Sequence, residues 1–329
     1  SYPFARTRHW ITDAPPPGPP AALKAPRIGA HGLQADESIG QALHPLIVRN
    51  ASTLREIRFE SQLDHAAWYA RDHRVAGAVL FPGAGYLEIA AAAAAIAGEA
   101  PVTRIEDIVW AQPLALDAVH QVQTRLVASG EGAEFAIHGV DASLQSQLHA
   151  EGRVRFGRAR GAHAPSQLRD IAALLAETTH VIAGEACYAA LSGFGFDYGP
   201  SFRSIRELHI GGDIAIAHLV LDPSLRAGFD QFLLHPALID GALQTVSGMA
   251  LVAAGDSAAG TGDAGTSTRT PYLPFALEAI ERFRPMLPEC HAVARRAAGP
   301  VGSGLLRFDL ELLSMRGERL VALDGFYVR

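Results

Sequence analysis

Two titratable residues lie among apolar neighbours, where charged side chains are seldom found. His73 stands in "DHRVAGAVLFPGAGYLE", and Asp240 stands in "HPALIDGALQTV". Neutral histidine is the usual general base near neutral pH. Aspartate is rarely buried without a partner. Each residue alone also fits a structural role, as a core histidine or as an acid on a solvated helix face. Together they could serve as a base and an acid.

Two further residues have spacings that would support such a pair. Gly77 lies four residues after His73, and a glycine lets the backbone approach a ligand with no Cβ in the way. An N–H group near Gly77 could therefore bind a carbonyl oxygen on which negative charge develops. Gln244 lies four residues after Asp240, on the same helical face, and can form a hydrogen bond with it.

A third stretch, "FGFDYGPSF", offers a phenol. Tyr198, Gly199 and Pro200 predict a rigid turn that presents the tyrosine side chain, although such turns also occur for structural reasons alone. Asp197 beside them is expected to be exposed. Other catalytic classes are excluded by spacing, because the sequence has no G-x-S-x-G elbow, no Walker loop and no G-x-G-x-x-G opening a helix after a strand. The 14 histidines have no HxxxH or HExxH spacing, so no metal site is expected.

Two apolar helices are predicted to position these residues. One is expected in "PGAGYLEIAAAAAAIAGEA", with Pro82 in its first turn and Gly98 near its end, and one in "HPALIDGALQTVSGMALVAAG", opened by Pro236. Each helix is apolar nearly all round and must be buried. Strand-like segments surround both helices, so the order of strands, helix and strands occurs twice. The sequence therefore predicts an α+β protein of two similar halves.

Composition and charge bound the remaining possibilities. The chain has 329 residues and a net charge of −6, and nothing in it forms the basic footprint that nucleic acid requires. Cys187 and Cys290 have neither CxxC nor zinc-like spacing, so two free, buried thiols are expected. No plausible membrane span or signal sequence is present, and a cytoplasmic location is therefore expected.

Taken together, these motifs resemble the dehydratase domains of modular polyketide synthases. "HRVAGAVLFP" is similar to their HxxxGxxxxP motif, and "YGP" to their turn of the same sequence. Asp240 and Gln244 stand where the family has DxxxQ/H, and "YLPF" (272–275) resembles its LPF segment. The motifs occur in the family's order over residues 44–329. "SFRSIREL" and "YLPFALEAI" look more like dehydratases of synthases without built-in acyltransferases.

The resemblance implies a double-hotdog fold, in which two antiparallel sheets each wrap a central apolar helix. It also implies the domain boundaries. We expect an interdomain linker over 1–40, a first hotdog over 41–157, a linker over 158–180 and a second hotdog over 181–329.

The resemblance further implies loss of water from a 3-hydroxyacyl thioester, carried on the phosphopantetheine arm of an acyl carrier protein, without any other cofactor. His73 would remove the C2 proton, and Asp240 would protonate the leaving 3-hydroxyl. Backbone N–H near Gly77 would receive the thioester oxygen, while Tyr198 and Gln244 would position the reacting groups. Neighbouring synthase domains and a second copy of the chain, in a homodimer, are the other expected partners.

Two alternatives remain open. The same pocket could close an oxygen heterocycle, by attack of a distal hydroxyl on the new double bond, or the domain could be non-catalytic or branching. The presence of both His73 and Asp240 argues against a non-catalytic domain. In water, reference pKa values would favour the charged pair by roughly 2.6 pH units. An apolar channel penalises both charges, so we expect the two side chains to face one narrow apolar channel, with substrate between them.

Overall fold

The structure is a computed structural model and describes residues 42–98, 100–140, 146–157, 168–258, 274–297 and 305–328. Residues Gln41–Arg329 form one compact unit. Three sequence predictions lie wholly or partly outside the described residues: the linker over 1–40, the first part of the linker over 158–180, and Tyr272 and Leu273 of "YLPF".

The described part of the chain is built from strands and a few helices. The strands are β1 (Arg49–Asn50), β2 (Ile57–Leu63), β3 (His73–Val75), β4 (Ala78–Val79), β5 (Val102–Trp110), β6 (His120–Ser129), β7 (Gly132–Val140), β8 (Ser146–Phe156), β9 (His180–Ala183), β10 (Phe196–Tyr198), β11 (Ile205–Gly211), β12 (Ile214–Val220), β13 (Pro274–Arg282), β14 (Glu289–Arg296), β15 (Leu306–Leu313) and β16 (Arg319–Val328). The α-helices are α1 (Trp68–Arg71), α2 (Gly83–Ala97), α3 (Ile171–Ala176), α4 (Gly184–Gly193) and α5 (Pro236–Ala258).

Thirteen strands form one antiparallel sheet, in the order β1-β2-β6-β7-β8-β5-β13-β16-β15-β14-β12-β11-β9. The six strands from the first part of the chain occupy one side of this order, and the seven later strands occupy the other. The two sides meet where β5 pairs with β13, and Ile105 lies opposite Ile280 there. The two sheets expected from the family resemblance are therefore joined edge to edge by main-chain hydrogen bonds.

The helices α2 and α5 form the centres of the two halves. Every residue of α2 from Ala84 to Ala94 is buried, as is every residue from Leu234 to Val246 at the start of α5. Strands β5 to β8 contact α2, strands β11, β12, β14 and β15 contact α5, and the two helices contact each other. This arrangement explains why neither helix has a polar face. Pro82 immediately precedes α2, and Pro236 is the first residue of α5, as the sequence predicted within one residue.

A second, three-stranded sheet is formed by both halves of the chain. Its order is β10-β3-β4, and His73 on β3 lies opposite Tyr198 on β10. Ala76 and Gly77 make the two-residue turn between β3 and β4, with φ angles of 50° and 81°. Positive φ at both positions is the geometry of a type I′ turn, which glycine adopts without strain.

Two further features lie outside this framework. Helix α3 packs on the outer face of the second half, where its apolar residues cover Ile214, Ile216, Val293 and Leu313. Both cysteines are free and buried, which confirms the expectation from their spacing. None of the helices that the structure describes has the length and apolarity needed to span a membrane.

Candidate active site

A pocket of about 130 Å³ collects most of the residues singled out in the sequence. His73, Tyr198, Asp240 and Gln244 all line it. They come from β3, β10 and α5, and therefore from both halves of the chain. Apolar side chains such as Phe81 supply much of the remaining wall. The expectation that the histidine and the aspartate face one apolar pocket is confirmed.

His73 is held in one tautomer by the backbone. Its side chain is buried, and Nδ1 lies 3.0 Å from the carbonyl oxygen of Leu80. A carbonyl only accepts hydrogen bonds, so Nδ1 carries the hydrogen and neutral His73 keeps a lone pair on Nε2. The rings of Tyr198 and Phe202 approach the imidazole edge-on, with centroids 5.4 Å and 5.1 Å away. The basic nitrogen is thus fixed in direction by packing and by one hydrogen bond.

Asp240 presents one carboxyl oxygen to His73 and uses the other elsewhere. Its Oδ1 lies 3.8 Å from Nε2 of His73, which is beyond hydrogen-bond distance. Its Oδ2 accepts a hydrogen bond of 2.7 Å from Nε2 of Gln244. When the acid is protonated, its hydrogen therefore belongs on Oδ1, the oxygen that faces the histidine.

The amide of Gln244 is oriented by groups that bind both of its ends. Its Nε2 also donates to the carbonyl oxygen of Phe202, at 3.1 Å, and its Oε1 accepts from the hydroxyl of Tyr188, at 3.0 Å. The Tyr188 hydroxyl in turn accepts from the backbone N–H of Ile205, at 2.9 Å. Because Oε1 is occupied by a donor, the NH₂ group must point at Asp240. This buried chain of hydrogen bonds positions the acid.

Burial sets the protonation of the two acidic groups in the pocket. Loss of solvation raises the pKa of Asp240, against the opposing effects of His73 and the Gln244 hydrogen bond. Burial also raises the pKa of Tyr198 well above its usual value, and the nearby Asp240 adds to this shift. The tyrosine is therefore a neutral O–H donor at any working pH, and the aspartic acid holds its proton to higher pH than an exposed aspartate does.

The separation of the two groups is shorter than expected for a substrate lying between them. Nε2 of His73 and Oδ1 of Asp240 are only 3.8 Å apart in the pocket. This geometry suits two groups that act on adjacent atoms of a substrate lying across them. A substrate offers such adjacent atoms when one carbon carries a hydrogen and the next carries a hydroxyl on the same face of the molecule.

Gly77 does not lie where the sequence prediction put it. It is exposed at the tip of the β3–β4 turn, and in the part of the chain that the structure describes no atom beyond its two chain neighbours lies within 4 Å of the position of an added Cβ. The pocket is lined instead by Gly83, the first residue of α2. Gly77 itself does not line the pocket, so this geometry gives no support to the predicted contact between its N–H and a substrate oxygen. The glycine is needed for the positive φ of a tight turn, a requirement that its spacing from His73 did not reveal.

The YGP turn is anchored to the residue before His73. The N–H of Gly199 donates to the carbonyl oxygen of Asp72, and the N–H of Ser201 donates to the Asp72 carboxylate. A Cβ on Gly199 would lie 2.6 Å from Cγ of Asp72, so only glycine fits here. Pro200 follows as the first residue of a short 3-10 helix. Asp197 is exposed, as predicted.

Sequence reasoning missed two of the residues that hold this site together. Tyr188 lies on α4 and Asp72 precedes β3, and both are buried. Neither stands in a motif whose spacing indicates its partner, because the partners are distant in sequence. His235, just before α5, is also buried, and burial lowers its pKa to about 4. Its ring stacks on Trp68 rather than lining the pocket.

The described residues contain no group of three or more histidine, cysteine, aspartate or glutamate side chains arranged to hold a metal ion.

Comparisons with known proteins identify the family to which this pocket belongs. Residues 44–140 match the family described as polyketide synthase dehydratase domain, and residues 166–329 match the one described as polyketide synthase dehydratase N-terminal domain. Among curated proteins, polyketide synthase PksN of Bacillus subtilis is 31% identical over 337 residues, and ThaG of Burkholderia thailandensis is 32% identical. Each match covers the whole chain but only 6% and 5% of these much longer relatives.

Solved structures give the same result for single domains. A trans-AT polyketide synthase dehydratase domain from Brevibacillus brevis is 30% identical, with a TM-score of 0.77, and the match covers 88% of this chain and 98% of that one. The dehydratase domain of RzxB from Pseudomonas fluorescens is 28% identical, with a TM-score of 0.73, over 88% of this chain and 100% of that one. The double-hotdog prediction is confirmed, and this chain belongs to the dehydratase domains of polyketide synthases.

Proposed function

We propose that this chain removes water from a 3-hydroxyacyl thioester and produces the 2,3-enoyl thioester. One observation carries the proposal. Nε2 of His73 and Oδ1 of Asp240 lie 3.8 Å apart in one apolar pocket, and each side chain is held by a hydrogen bond at its other polar atom. This geometry suits a base and an acid that act on neighbouring carbons.

His73 acts as the base. Its unprotonated Nε2 takes the C2 proton, and the imidazolium that forms is stabilised by the hydrogen bond from Nδ1 to the Leu80 carbonyl oxygen. The electrons of the broken C–H bond become the second bond between C2 and C3. A proton α to a thioester is removed more easily when the carbonyl oxygen can accept negative charge.

Asp240 acts as the acid. Its raised pKa favours the protonated form, and the proton on Oδ1 passes to the C3 hydroxyl as the C3–O bond breaks and water leaves. Gln244 stabilises the resulting carboxylate through its hydrogen bond to Oδ2. Because the two reactive atoms are only 3.8 Å apart, we expect the proton and the hydroxyl to leave from the same face of the substrate. Return of the proton from His73 to Asp240 restores the starting state.

The start of α2 supplies the group that was expected near Gly77. Gly83 is the first residue of this helix and lines the pocket. The first N–H groups of a helix have no partner within it, and the positive end of the helix dipole lies there. The thioester oxygen is stabilised by this helix terminus as it gains negative charge. Tyr198, a neutral phenol in the same pocket, holds the C3 hydroxyl.

The relatives support the proposed partners. The chain spans only a small fraction of synthases such as PksN, and one solved relative is named a trans-AT dehydratase domain. The substrate is accordingly proposed to arrive on the phosphopantetheine arm of an acyl carrier protein, within a cytoplasmic multienzyme whose acyltransferase acts in trans. Neighbouring synthase domains and a second copy of this chain are proposed as its other contacts.

The proposal is tested by incubating the domain with a 3-hydroxyacyl carrier-protein thioester and following the loss of water by mass spectrometry. We expect His73→Ala and Asp240→Asn to abolish dehydration. His180→Ala and Asp197→Asn are matched controls, because both residues are exposed and lie outside the pocket, and these variants should keep wild-type rates. Failure of the wild type to release water from either 3-hydroxyl stereoisomer would disprove the proposal.

The same assay tests cyclisation, the second activity expected from the family resemblance. A substrate with a distal hydroxyl gives an open enoyl chain or an oxygen heterocycle of the same mass, which chromatography separates. Ring formation that continues in Asp240→Asn, when the enoyl thioester is supplied directly, would identify a cyclase step. If neither wild type nor Asp240→Asn forms a ring, the domain carries out dehydration alone.

A further inference from the structure

The pocket extends well beyond the acid and the base. On α5, Asp240, Leu243, Gln244 and Ser247 all line it. These positions form a single stripe along one helix face. Asp240 and Ser247 are seven residues apart, so the stripe follows the helix for two turns, or about 10 Å. The space therefore accommodates more of a substrate than the carbons that react.

The side chain of Tyr86 also lines this pocket, from α2. Tyr86 is 2% exposed, and its hydroxyl forms no hydrogen bond with any group in the part of the chain that the structure describes. Its ring is fixed by edge-on contact with Phe81, at a centroid distance of 4.9 Å. A buried hydroxyl without a partner destabilises the folded protein. The stability of the folded protein therefore does not explain why a hydroxyl is present at this position.

Neighbouring polar groups of the wall are already used by the protein. Nε1 of Trp110 donates to the carbonyl oxygen of Gly83, at 3.1 Å, and the side-chain oxygen of Gln112 accepts from Gln147. The hydroxyl of Tyr86 differs from them because its partner is missing. Burial raises its pKa above the usual value, so it stays a neutral O–H donor. Its O–H is thus unpaired, and a local shift of the side chains that cover it would let it bind an oxygen atom brought in by the substrate.

The position of Tyr86 indicates which part of the substrate it meets. Gln112 and Pro113 line the pocket and are exposed, so they mark its mouth, whereas Tyr86 is buried, as His73 and Asp240 are. A carrier arm enters through the mouth, and the acyl chain occupies the enclosed part.

Resting on the proposed function, we infer that the Tyr86 hydroxyl binds a hydroxyl or carbonyl oxygen on the acyl chain beyond C3. The domain therefore prefers oxygenated intermediates to plain hydrocarbon chains. Sites built to bind a substrate oxygen discriminate against analogues that lack it, because the binding group is then left unpaired.

The test compares two carrier-protein thioesters of equal length, one plain and one with an added hydroxyl, placed in turn at successive carbons beyond C3. The measured quantity is the ratio of kcat/KM for the hydroxylated substrate to that for the plain one. We expect wild type to prefer one hydroxylated isomer and Tyr86→Phe to lower that ratio about five- to tenfold, as loss of one neutral hydrogen bond predicts. Tyr69→Phe is the matched control, because Tyr69 is buried but does not line the pocket, and it should leave the ratio unchanged.

Folding is controlled by thermal unfolding. Tyr86→Phe removes an unpaired hydroxyl and should not lower the Tm, whereas Tyr69→Phe removes an acceptor for the Asp64 N–H and should lower it. An unchanged ratio in Tyr86→Phe, or no preference in wild type, would overturn the inference. If wild type fails to dehydrate even the plain substrate, the proposed function fails instead, and affinities for the two enoyl thioesters then test Tyr86 separately.

Discussion

Replacing Gln244 with methionine should raise the pKa of Asp240. The substitution keeps the length and shape of the side chain but removes the N–H that donates to Oδ2 of Asp240, at 2.7 Å. The rest of the network survives, because the Tyr188 hydroxyl still reaches the carbonyl oxygen of Phe202, at 3.2 Å. The carboxylate, which is buried, would lose its main donor. Its charged form is therefore destabilised relative to the protonated acid.

The size of this effect follows from the strength of the bond. A hydrogen bond to a charged group contributes about 1.5–3 kcal/mol. One pH unit corresponds to about 1.4 kcal/mol. Loss of the Gln244 donor should therefore raise the pKa of Asp240 by about one to two pH units, in addition to the increase that burial already causes.

Infrared spectroscopy can follow this titration directly, because a protonated carboxyl has a C=O stretch that a carboxylate lacks. The band of Asp240 is assigned by its disappearance in Asp240→Asn. In Gln244→Met the band should persist to higher pH than in wild type, and dehydration should slow because the acid is less well oriented. Gln121→Met, at an exposed position on β6, is the control and should leave the band unchanged. A band lost at the same or a lower pH would refute this account of the site.

Three other substitutions test the framework around the pocket. Gly199→Ala places a Cβ 2.6 Å from Cγ of Asp72. It should lower the free energy of unfolding, measured in urea, by about 1–3 kcal/mol. An unchanged free energy of unfolding would show that the turn can move aside. Glu88→Gln keeps the side-chain shape but weakens the bonds from the Leu234 and Leu233 N–H groups to a fully buried carboxylate, and it should cost about 1–2 kcal/mol in the same assay. Asp240→Asn should gain stability relative to wild type as pH rises. Folding raises the pKa of Asp240, so the contribution of Asp240 to the stability of wild type is complete below the unfolded pKa of about 3.9. That contribution is lost as pH rises through the pKa of the folded protein. A stability difference that stays constant with pH would contradict this assignment.

The fold was predictable where one physical requirement dominates a stretch of sequence. The alanine-rich run after Pro82 has no polar face, so its burial followed from the sequence alone. The partnership of Asp240 and Gln244 followed from helical periodicity, because four residues bring two side chains together. The proposed roles of His73 as base and Asp240 as acid rest on their residue types and on motifs that resemble those of the family.

Other features depend on contacts that no local pattern encodes. Gly77 was misplaced because Ala76 and Gly77 form a tight hairpin turn, and alanine at a position with φ of 50° is not a turn signal. Tyr188 reaches Gln244 across 56 residues of sequence, and no periodicity connects them. The pairing of β5 with β13 joins strands from different halves. The sequence of each strand alone fits a position at the edge of a sheet as well as one at its centre.

The chain pairs its two halves twice, once through β5 and β13 and once through β3 and β10. Both junctions contribute to the wall of the pocket, through Trp110 and Pro274 at one and His73 and Tyr198 at the other. Main-chain hydrogen bonds at two places oppose hinging of one half against the other, because hinging would break at least one set of them. A substitution that weakens either junction is therefore expected to alter the pocket as well as the stability of the fold.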